Sequence, residues 1–248
     1  MNENNSPLTR VTKENRGEQH STTMILGPIG SGKTRSLATL TPYGKTVILD
    51  IDRQAGKLFD CKETITDNLE VIDVNPPIKP NGDPDWIATY QAVEKFLVET
   101  SQSKDPPFAI VIDTLTTLNE ICLNYVRSIG NVELGKTQLQ HYNMGKEHLE
   151  RLIRKFLVIR AVRVVNCHLI KEKDETTGRI VSRPNLPGQM ADLLPCKFQN
   201  ILFAEVGGTR EKKQWSFITV PDDQVIARVS REMKSMIPQD FGIVLGKK

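Results

Sequence analysis

Eight consecutive residues near the start of the chain have the glycine-rich pattern that cradles phosphate groups. A short apolar run, residues 23–26, leads into them, and a helix-compatible segment follows. Glycines in such a loop let successive backbone N–H groups turn toward phosphate oxygens, and the positive end of the next helix points at the same anion. We therefore expect a nucleoside triphosphate to bind at Gly27, Pro28, Ile29, Gly30, Ser31, Gly32, Lys33 and Thr34.

Two residues of this loop carry the chemistry of the triphosphate and its metal. The Lys33 ammonium supplies a point charge for the β- and γ-phosphates, and the Thr34 hydroxyl is a ligand for Mg²⁺. A second, acidic residue is needed for the metal at the end of a neighbouring strand. The apolar run 108–113 ends in Asp113, which is the predicted metal ligand and can also cap the helix that follows. The expected cofactors are ATP and Mg²⁺.

Hydrolysis also requires a base that can accept a proton from the attacking water. Asp52 follows the apolar run 46–51, so it is expected at the same sheet edge as the phosphate loop, where α/β folds bind ligands. Because successive side chains of a strand point to opposite faces, the side chain of Asp50 is expected to point into the protein interior. Asp52 is the predicted base, although either aspartate could instead cap the turn to the next helix.

A third polar strand end is formed by Asn166 and His168. They close the run 162–168, and His168 is a candidate sensor of the γ-phosphate that would pass the signal into the following loop. A lone histidine is equally compatible with a purely structural role.

These residues are positioned by strands that alternate with helical patterns. The candidate strands are residues 23–26, 46–51, 69–74, 108–113 and 162–168, followed by 201–206, 214–220 and 224–229. Apolar stripes of helical period are Trp86, Tyr90, Val93 and Leu97 (after a predicted cap at Asp83 and Pro84), then Leu115, Leu118, Ile121 and Tyr125, then Leu149, Leu152, Phe156 and Ile159. This order predicts an α/β fold, with a mostly parallel twisted sheet, helices on both faces and an antiparallel C-terminal edge hairpin turning at Asp222 and Asp223.

Composition narrows the class of protein. The chain of 248 residues carries a net charge of +3, so any nucleic-acid footprint must be local. No apolar run approaches the roughly 20 residues that span a bilayer, which excludes a membrane partner. Its four cysteines are widely spaced, which favours reduced thiols and a cytoplasmic location, the host cytoplasm if the gene is phage-borne. Residues 1–22 are expected to form a flexible tail, and residues 23–248 a single domain.

The pattern resembles the RecA-type ATPase core: a phosphate loop, an acidic residue after the second strand, a strand ending Asp-Thr and a polar-tipped strand. More narrowly, it is similar to the RecA-like phage ATPases grouped with the Sak-type single-strand annealing proteins. This narrower resemblance rests on Asn-Cys-His-Leu-Ile-Lys at 166–171, on the segment 184–195 with its Leu-Pro-Gly and Leu-Leu-Pro, on Phe198 and on residues 227–238.

The resemblance implies a sheet in which the His168 strand lies between the phosphate-loop strand and the Asp113 strand. It implies slow hydrolysis, because the family uses a glutamate where this chain has Asp52. Arg231, with Arg228 nearby, matches a basic pair that acts in the neighbouring subunit's site, although the usual lysine is Val229. The implied partners are single-stranded DNA, further copies of the chain in a ring or filament, and a single-strand-binding protein, in recombination or strand annealing.

Basic residues are concentrated in one part of the chain. Residues 145–163, read as one helix, hold six basic residues against two acidic ones. The predicted loop 171–187 adds Lys171, Lys173, Arg179 and Arg183, the candidate contacts to DNA phosphates through counterion release. This loop has no aromatic residue for base stacking. Charge alone favours a solvated face, and the resemblance favours DNA binding.

Two other functions remain compatible with the same core. One is a regulatory or assembly ATPase that acts on a protein partner without binding DNA. The other is a small-molecule kinase, which the absence of an obvious lid segment disfavours.

Overall fold

Apolar strands and amphipathic helices alternate along the chain, as the sequence predicted. The computed structural model describes residues 20–133, 135–173, 178, 180–209, 212–222 and 224–247. The strands are β1 (Thr22–Leu26), β2 (Thr46–Asp50), β3 (Leu69–Asp73), β4 (Ala109–Asp113), β5 (Val162–Cys167), β6 (Leu169–Lys173), β7 (Ile180–Pro184), β8 (Asn200–Gly208), β9 (Lys213–Ile218) and β10 (Met236–Pro238). The helices are α1 (Lys33–Ser36), α2 (Trp86–Gln102), α3 (Leu115–Ile129), α4 (Leu139–Leu157), α5 (Met190–Leu193) and α6 (Phe241–Leu245).

Eight of these strands form one sheet, in the order β10-β9-β8-β1-β5-β4-β2-β3. From β8 to β3 all neighbours are parallel, and β5 lies between β1 and β4. The sheet order implied by the resemblance is thereby confirmed. Every residue of β1, β2 and β4 is buried, which is typical of parallel strands covered on both faces.

The two faces of the sheet are covered by different kinds of element. On one face, α2, α3 and α4 contribute buried side chains such as Tyr90, Leu118 and Phe156, which pack with Met24 and Ile112. On the other face, short 3₁₀ segments at Leu37–Tyr43 and Ala55–Asp60 and the helix α6 pack on the alternate side chains of the same strands. The predicted α/β fold with helices on both faces is confirmed.

Two helix boundaries differ from the prediction. The side chain of Asp85, not the Asp83-Pro84 pair, caps α2 by accepting a hydrogen bond from the Ala88 N–H at 3.1 Å. The basic helix predicted over 145–163 ends at Leu157, because the chain turns there to enter β5. Arg160 therefore lies in a connection and Arg163 in a strand.

The antiparallel edge of the sheet is confirmed, but its predicted hairpin is wrong. The hairpin joins β8 to β9, and the short strand β10 then pairs with β9. Residues 224–229 form no strand: Asp222 Oδ1 accepts from the N–H groups of Gln224 and Val225, and a single bridge joins Arg228 to Ile201. The second turn residue predicted, Asp223, lies outside the described residues.

A separate two-stranded ribbon occupies the stretch predicted as the loop 171–187. Strands β6 and β7 pair antiparallel from Leu169 opposite Pro184 to Lys173 opposite Ile180. At the other end of the chain, residues 1–19 of the predicted tail lie outside the described residues, and Thr22 already belongs to β1. None of the described helices is long and apolar enough to cross a membrane.

Candidate functional site

The phosphate loop joins β1 to α1 at the edge of the sheet where the parallel strands end. A cavity of about 410 Å³ opens beside it, between the ends of β1, β2, β4 and β5. The cavity is lined by Ile29, Gly30, Ser31, Gly32, Lys33, Thr34, Arg35, Asp52, Gln54, Lys57, Leu58, Cys61, Asp113, Thr114, His168 and Trp215. The predicted loop, metal ligand, base and sensor thus share one cavity, although Gly27 and Pro28 do not line it.

Glycine is required at two positions of the loop. Gly32 has φ of 90°, and a Cβ there would lie 2.4 Å from Gln239 Oε1 and 2.6 Å from Trp215 Cδ1. A Cβ on Gly27 would lie 2.5 Å from Ser31 Oγ and 2.7 Å from the Ala204 carbonyl oxygen. These contacts explain the sequence pattern, since any side chain at either position would push the loop away from the strands that support it.

The side chain of Lys33 turns back onto the backbone of the phosphate loop. Its ammonium donates to the carbonyl oxygens of Gly27 at 2.7 Å and Pro28 at 3.0 Å, and the residue is only 6% exposed. Burial lowers the pKa of Lys33, and the nearby charge of Asp113 partly opposes that shift. Burial disfavours the charged form of Lys33, and an anion in the cavity would favour that form again.

Thr34 and Asp113 meet at the position predicted for the metal. The Thr34 hydroxyl donates to Asp113 Oδ2 at 2.7 Å, and Asp113 is 1% exposed. Burial raises the pKa of Asp113. Among the described residues, Asp113 Oδ1 and the side-chain amide of Asn166 have no hydrogen-bond partner of good geometry, although Asn166 lies close enough to Asp113 to oppose part of that shift. A buried carboxylate beside a hydroxyl fits Mg²⁺, which prefers oxygen ligands.

Asp52 lies at the end of β2 and is held by three side chains. His168 Nε2 lies 2.8 Å from Asp52 Oδ2, and the hydroxyls of Thr114 and Thr117 donate to Asp52 Oδ1. Burial raises the pKa of Asp52, but the hydrogen bonds from His168 and Thr117 outweigh it, so that the pKa lies below its ordinary value. Asp52 is therefore an oriented carboxylate with His168 as its partner.

Asp50 has a different environment from Asp52. Its carboxylate accepts the backbone N–H of Gln54 at 3.0 Å and of Ala55 at 2.7 Å, and it does not line the cavity. The turn-capping role that the sequence left open for either aspartate is thus filled by Asp50.

The structure does not bring Arg231 to the phosphate loop of its own chain. Arg231 lies at the opposite, amino-terminal edge of the sheet, where it donates to the carbonyl oxygen of Ile243. Arg228 donates to the carbonyl oxygens of Phe198 and Pro195. The role predicted for Arg231 in a neighbouring subunit stays a prediction.

The predicted nucleic-acid contacts lie on the β6–β7 ribbon. Lys171 and Lys173 are exposed on β6, directly after His168. Arg183 on β7 is ion-paired with Glu172 at 3.4 Å and with Asp192. Arg179 lies outside the described residues.

Several residues of the site were missed from the sequence. The Gln239 amide donates to the Ser31 carbonyl oxygen at 2.7 Å, and Arg35 lies 4.2 Å above the Trp215 ring. Neither pair has a local sequence signal, since both depend on the edge strands β9 and β10. Thr117 could have been found, because it stands one helical turn after the cap Thr114 that follows Asp113.

Comparison with known proteins gives the family. The family model described as "AAA domain" (AAA_24) matches residues 20–230. The chain belongs to this family. It is therefore a P-loop ATPase of the AAA type, in agreement with the phosphate loop described above. No protein of curated function matches its sequence.

Two solved archaeal structures are similar to this AAA-domain chain. The flagellar accessory protein FlaH from Methanocaldococcus jannaschii has 8% identity and a TM-score of 0.43, covering 88% of this chain and 84% of that one. A KaiC-like protein from Pyrococcus horikoshii OT3 has 11% identity and a TM-score of 0.47, covering 89% and 85%.

Proposed function

We propose that the chain binds and hydrolyses ATP with Mg²⁺, and uses the nucleotide to control its binding of single-stranded DNA. The observation that carries this proposal is the Asp52–His168 pair. It joins the end of β2, beside the phosphate loop, to the residue that immediately precedes the β6–β7 ribbon. A change at the γ-phosphate can therefore reach Lys171 and Lys173 through this hydrogen bond and the short backbone segment that follows His168.

Five residues of the cavity have a part in hydrolysis. Lys33 neutralises charge that develops on the phosphates, and Thr34 and Asp113 hold Mg²⁺, which supplies further positive charge when bound. Asp52 accepts a proton from the water that attacks the γ-phosphorus, while the bond to the β-phosphate oxygen breaks to give ADP and phosphate. His168 orients the Asp52 carboxylate. Asp52 is shorter than the glutamate of related enzymes, which fits slow turnover.

Assembly forms the remaining part of the proposal. Arg231 lies a full strand length away from its own phosphate loop, so any contact that it makes with ATP would be in the site of a neighbouring copy. Head-to-tail contacts of this kind produce rings or filaments. The resemblance to Sak-type ATPases supports a role in recombination or strand annealing, beside a single-strand-binding protein.

The test is binding of a fluorescent single-stranded oligonucleotide with and without a non-hydrolysable ATP analogue. The analogue should raise the affinity of the wild type. Lys33→Ala should weaken ATP binding roughly 10- to 100-fold, because it removes charged hydrogen bonds to phosphate, and should abolish the effect of the analogue. The control is Lys95→Ala, which removes an exposed lysine of a helical ion pair. Equal DNA affinity in both conditions would refute the coupling.

A protein target is the second candidate function. The pairing of Arg183 with Glu172 and Asp192 favours it, because these carboxylates neutralise part of the ribbon's positive charge. Oligonucleotide binding at two salt concentrations separates the candidates, since contacts to phosphates must weaken steeply as salt increases. Weak binding that does not respond to salt would favour the protein target.

A further inference from the structure

A second large cavity lies at the opposite edge of the sheet from the phosphate loop. Its volume is about 770 Å³, and it is bordered by the residues that precede or begin the parallel strands, among them Ser21, Phe108, Val162 and Asn200. The C-terminal segment from Val244 to Lys247 closes one side. The five-residue strand β1 separates this amino-edge cavity from the phosphate loop by roughly 15 Å. The two cavities therefore cannot hold the same small ligand.

The charge lining the amino-edge cavity is all of one sign. Arg160, Arg231 and Lys247 line it, and no carboxylate does so among the described residues. Arg163 donates to the carbonyl oxygen of His20, which lines the cavity, at 2.5 Å. Burial, followed by the charges of Arg163 and Arg160, lowers the pKa of His20, as expected in a region of positive potential.

These cations differ from several other basic side chains of the surface, which are ion-paired. Arg35, Lys45, Arg151 and Arg183 each have a carboxylate within 3.4 Å. Within the described part of the chain, no ion pair involves Arg160, Arg163, Arg231 or Lys247. The acidic neighbours in sequence, Asp105 and Glu232, are exposed and do not line the cavity. Within the described residues, no carboxylate therefore neutralises the positive charge of this edge.

Two aromatic rings lie beside the positive charge. Lys247 Nζ is 4.5 Å from the centre of the Phe108 ring and 5.1 Å from that of Tyr43, and the two ring centres are 6.1 Å apart. Both rings are partly exposed, and the Phe108 ring lines the cavity. Cationic grooves with accessible aromatic rings suit single-stranded nucleic acids, because the cations follow the phosphates while the rings stack on unpaired bases.

We propose that the amino-edge cavity is a binding site for single-stranded nucleic acid, without sequence preference and independent of the nucleotide at the phosphate loop. A small anion would use only part of its volume and none of its aromatic surface. The chain would then contact a strand at two places, the β6–β7 ribbon and this edge, and only the ribbon adjoins the Asp52–His168 pair. The site goes beyond the function proposed above, since it does not depend on ATP.

The experiment measures binding of a fluorescent oligo-dT at several salt concentrations, without nucleotide. The double variant Arg160→Gln/Lys247→Gln removes two exposed cations of the cavity. Each lost phosphate contact should lower the slope of log affinity against log salt by about 0.7, so the double variant should lose about 1.4. The matched control Lys95→Gln/Lys136→Gln removes two exposed lysines elsewhere and should keep the wild-type slope.

Two results would overturn the proposal. One is an unchanged affinity and slope in the double variant while its melting temperature and ATP binding stay at wild-type values. The other is competition by inorganic phosphate that matches oligo-dT at equal phosphate concentration, which would identify a small-anion site. Lys33→Ala should keep the salt slope measured without nucleotide. Failure of ATP coupling and failure of this site are therefore separate outcomes.

Discussion

Nε2 of His168 lies 2.8 Å from Oδ2 of Asp52, although 116 residues separate them in the chain. The contact exists because β2 and β5 both end at the phosphate-loop edge, with only β4 between them. Thr116, on α3 after β4, helps to fix this arrangement, since its hydroxyl accepts the backbone N–H of His168 at 3.1 Å. Three strands thereby determine the orientation of one carboxylate.

Replacing the predicted base should separate binding from hydrolysis. Asp52→Asn keeps the size of the side chain but cannot accept a proton, so the hydrolysis rate should fall on the order of 100-fold or more, while ATP affinity stays nearly unchanged. Phosphate release and calorimetric ATP titration measure the two quantities. Asp73→Asn, at the exposed end of the neighbouring strand β3, is the matched control and should hydrolyse ATP like the wild type. Normal hydrolysis by Asp52→Asn would eliminate Asp52 as the base.

Removing the histidine should change the pH dependence of hydrolysis. The hydrogen bond from His168 lowers the pKa of Asp52, so His168→Ala should let that pKa rise. The acid limb of the pH–rate profile, where Asp52 becomes protonated, should then move to higher pH. The hydrolysis rate on the plateau should fall less than in Asp52→Asn, because the carboxylate is still present. A profile that keeps its acid limb in place would show that the pair does not act in hydrolysis.

Asp113 should lower the stability of the nucleotide-free protein. Burial raises its pKa, so the folded chain retains a proton over a pH range in which the unfolded chain has lost it. The free energy of unfolding therefore falls as pH rises from the ordinary carboxyl pKa through the raised one. At neutral pH, Asp113→Asn should melt at or above the wild-type temperature, yet lose the Mg²⁺-dependent part of its ATP affinity. A lower melting temperature together with normal Mg²⁺ dependence would contradict this account.

Adding a methyl group should have different effects on stability at Gly32 and at Gly56. Gly32→Ala forces a side chain into left-handed backbone and against Gln239 and Trp215, so it should destabilise the protein by at least roughly 1–2 kcal/mol and weaken ATP binding. Gly56→Ala is the control, because a Cβ there meets nothing within 4 Å and its φ is not positive. Urea denaturation gives both stabilities. Equal stabilities of the two variants would mean that the loop has room to rearrange.

The parallel core could be predicted from sequence because its signals are local. Buried parallel strands are continuous apolar runs, and the glycine pattern and Asp113 each adjoin such a run. The last strand of the antiparallel edge could not be predicted. Residues 224–229 contain Val225, Ile226 and Val229, but they pack against the sheet without pairing along it, apart from the Arg228 bridge to Ile201. Strands β6 and β7 were missed for the opposite reason, since Lys171, Glu172 and Lys173 show no apolar alternation.

The residues predicted for the site lie near one another where each of them ends a core strand or lies in the loop. Asp52 and His168 were both placed at the correct edge by this rule, and their direct contact was not foreseen. Gln239 and Trp215 were missed because their positions depend on how β9 and β10 add to the sheet. Such nonlocal contacts are decided by packing of whole elements, which a short sequence window does not contain.

The Gln239 amide reaches the Ser31 carbonyl oxygen across 208 residues of chain. Contacts between residues so far apart in the chain slow folding. During synthesis, Ser31 is made long before its partner, so the core sheet can assemble while the phosphate loop still lacks its outer support. Competence to hold ATP should consequently arise late in folding, after β10 has docked.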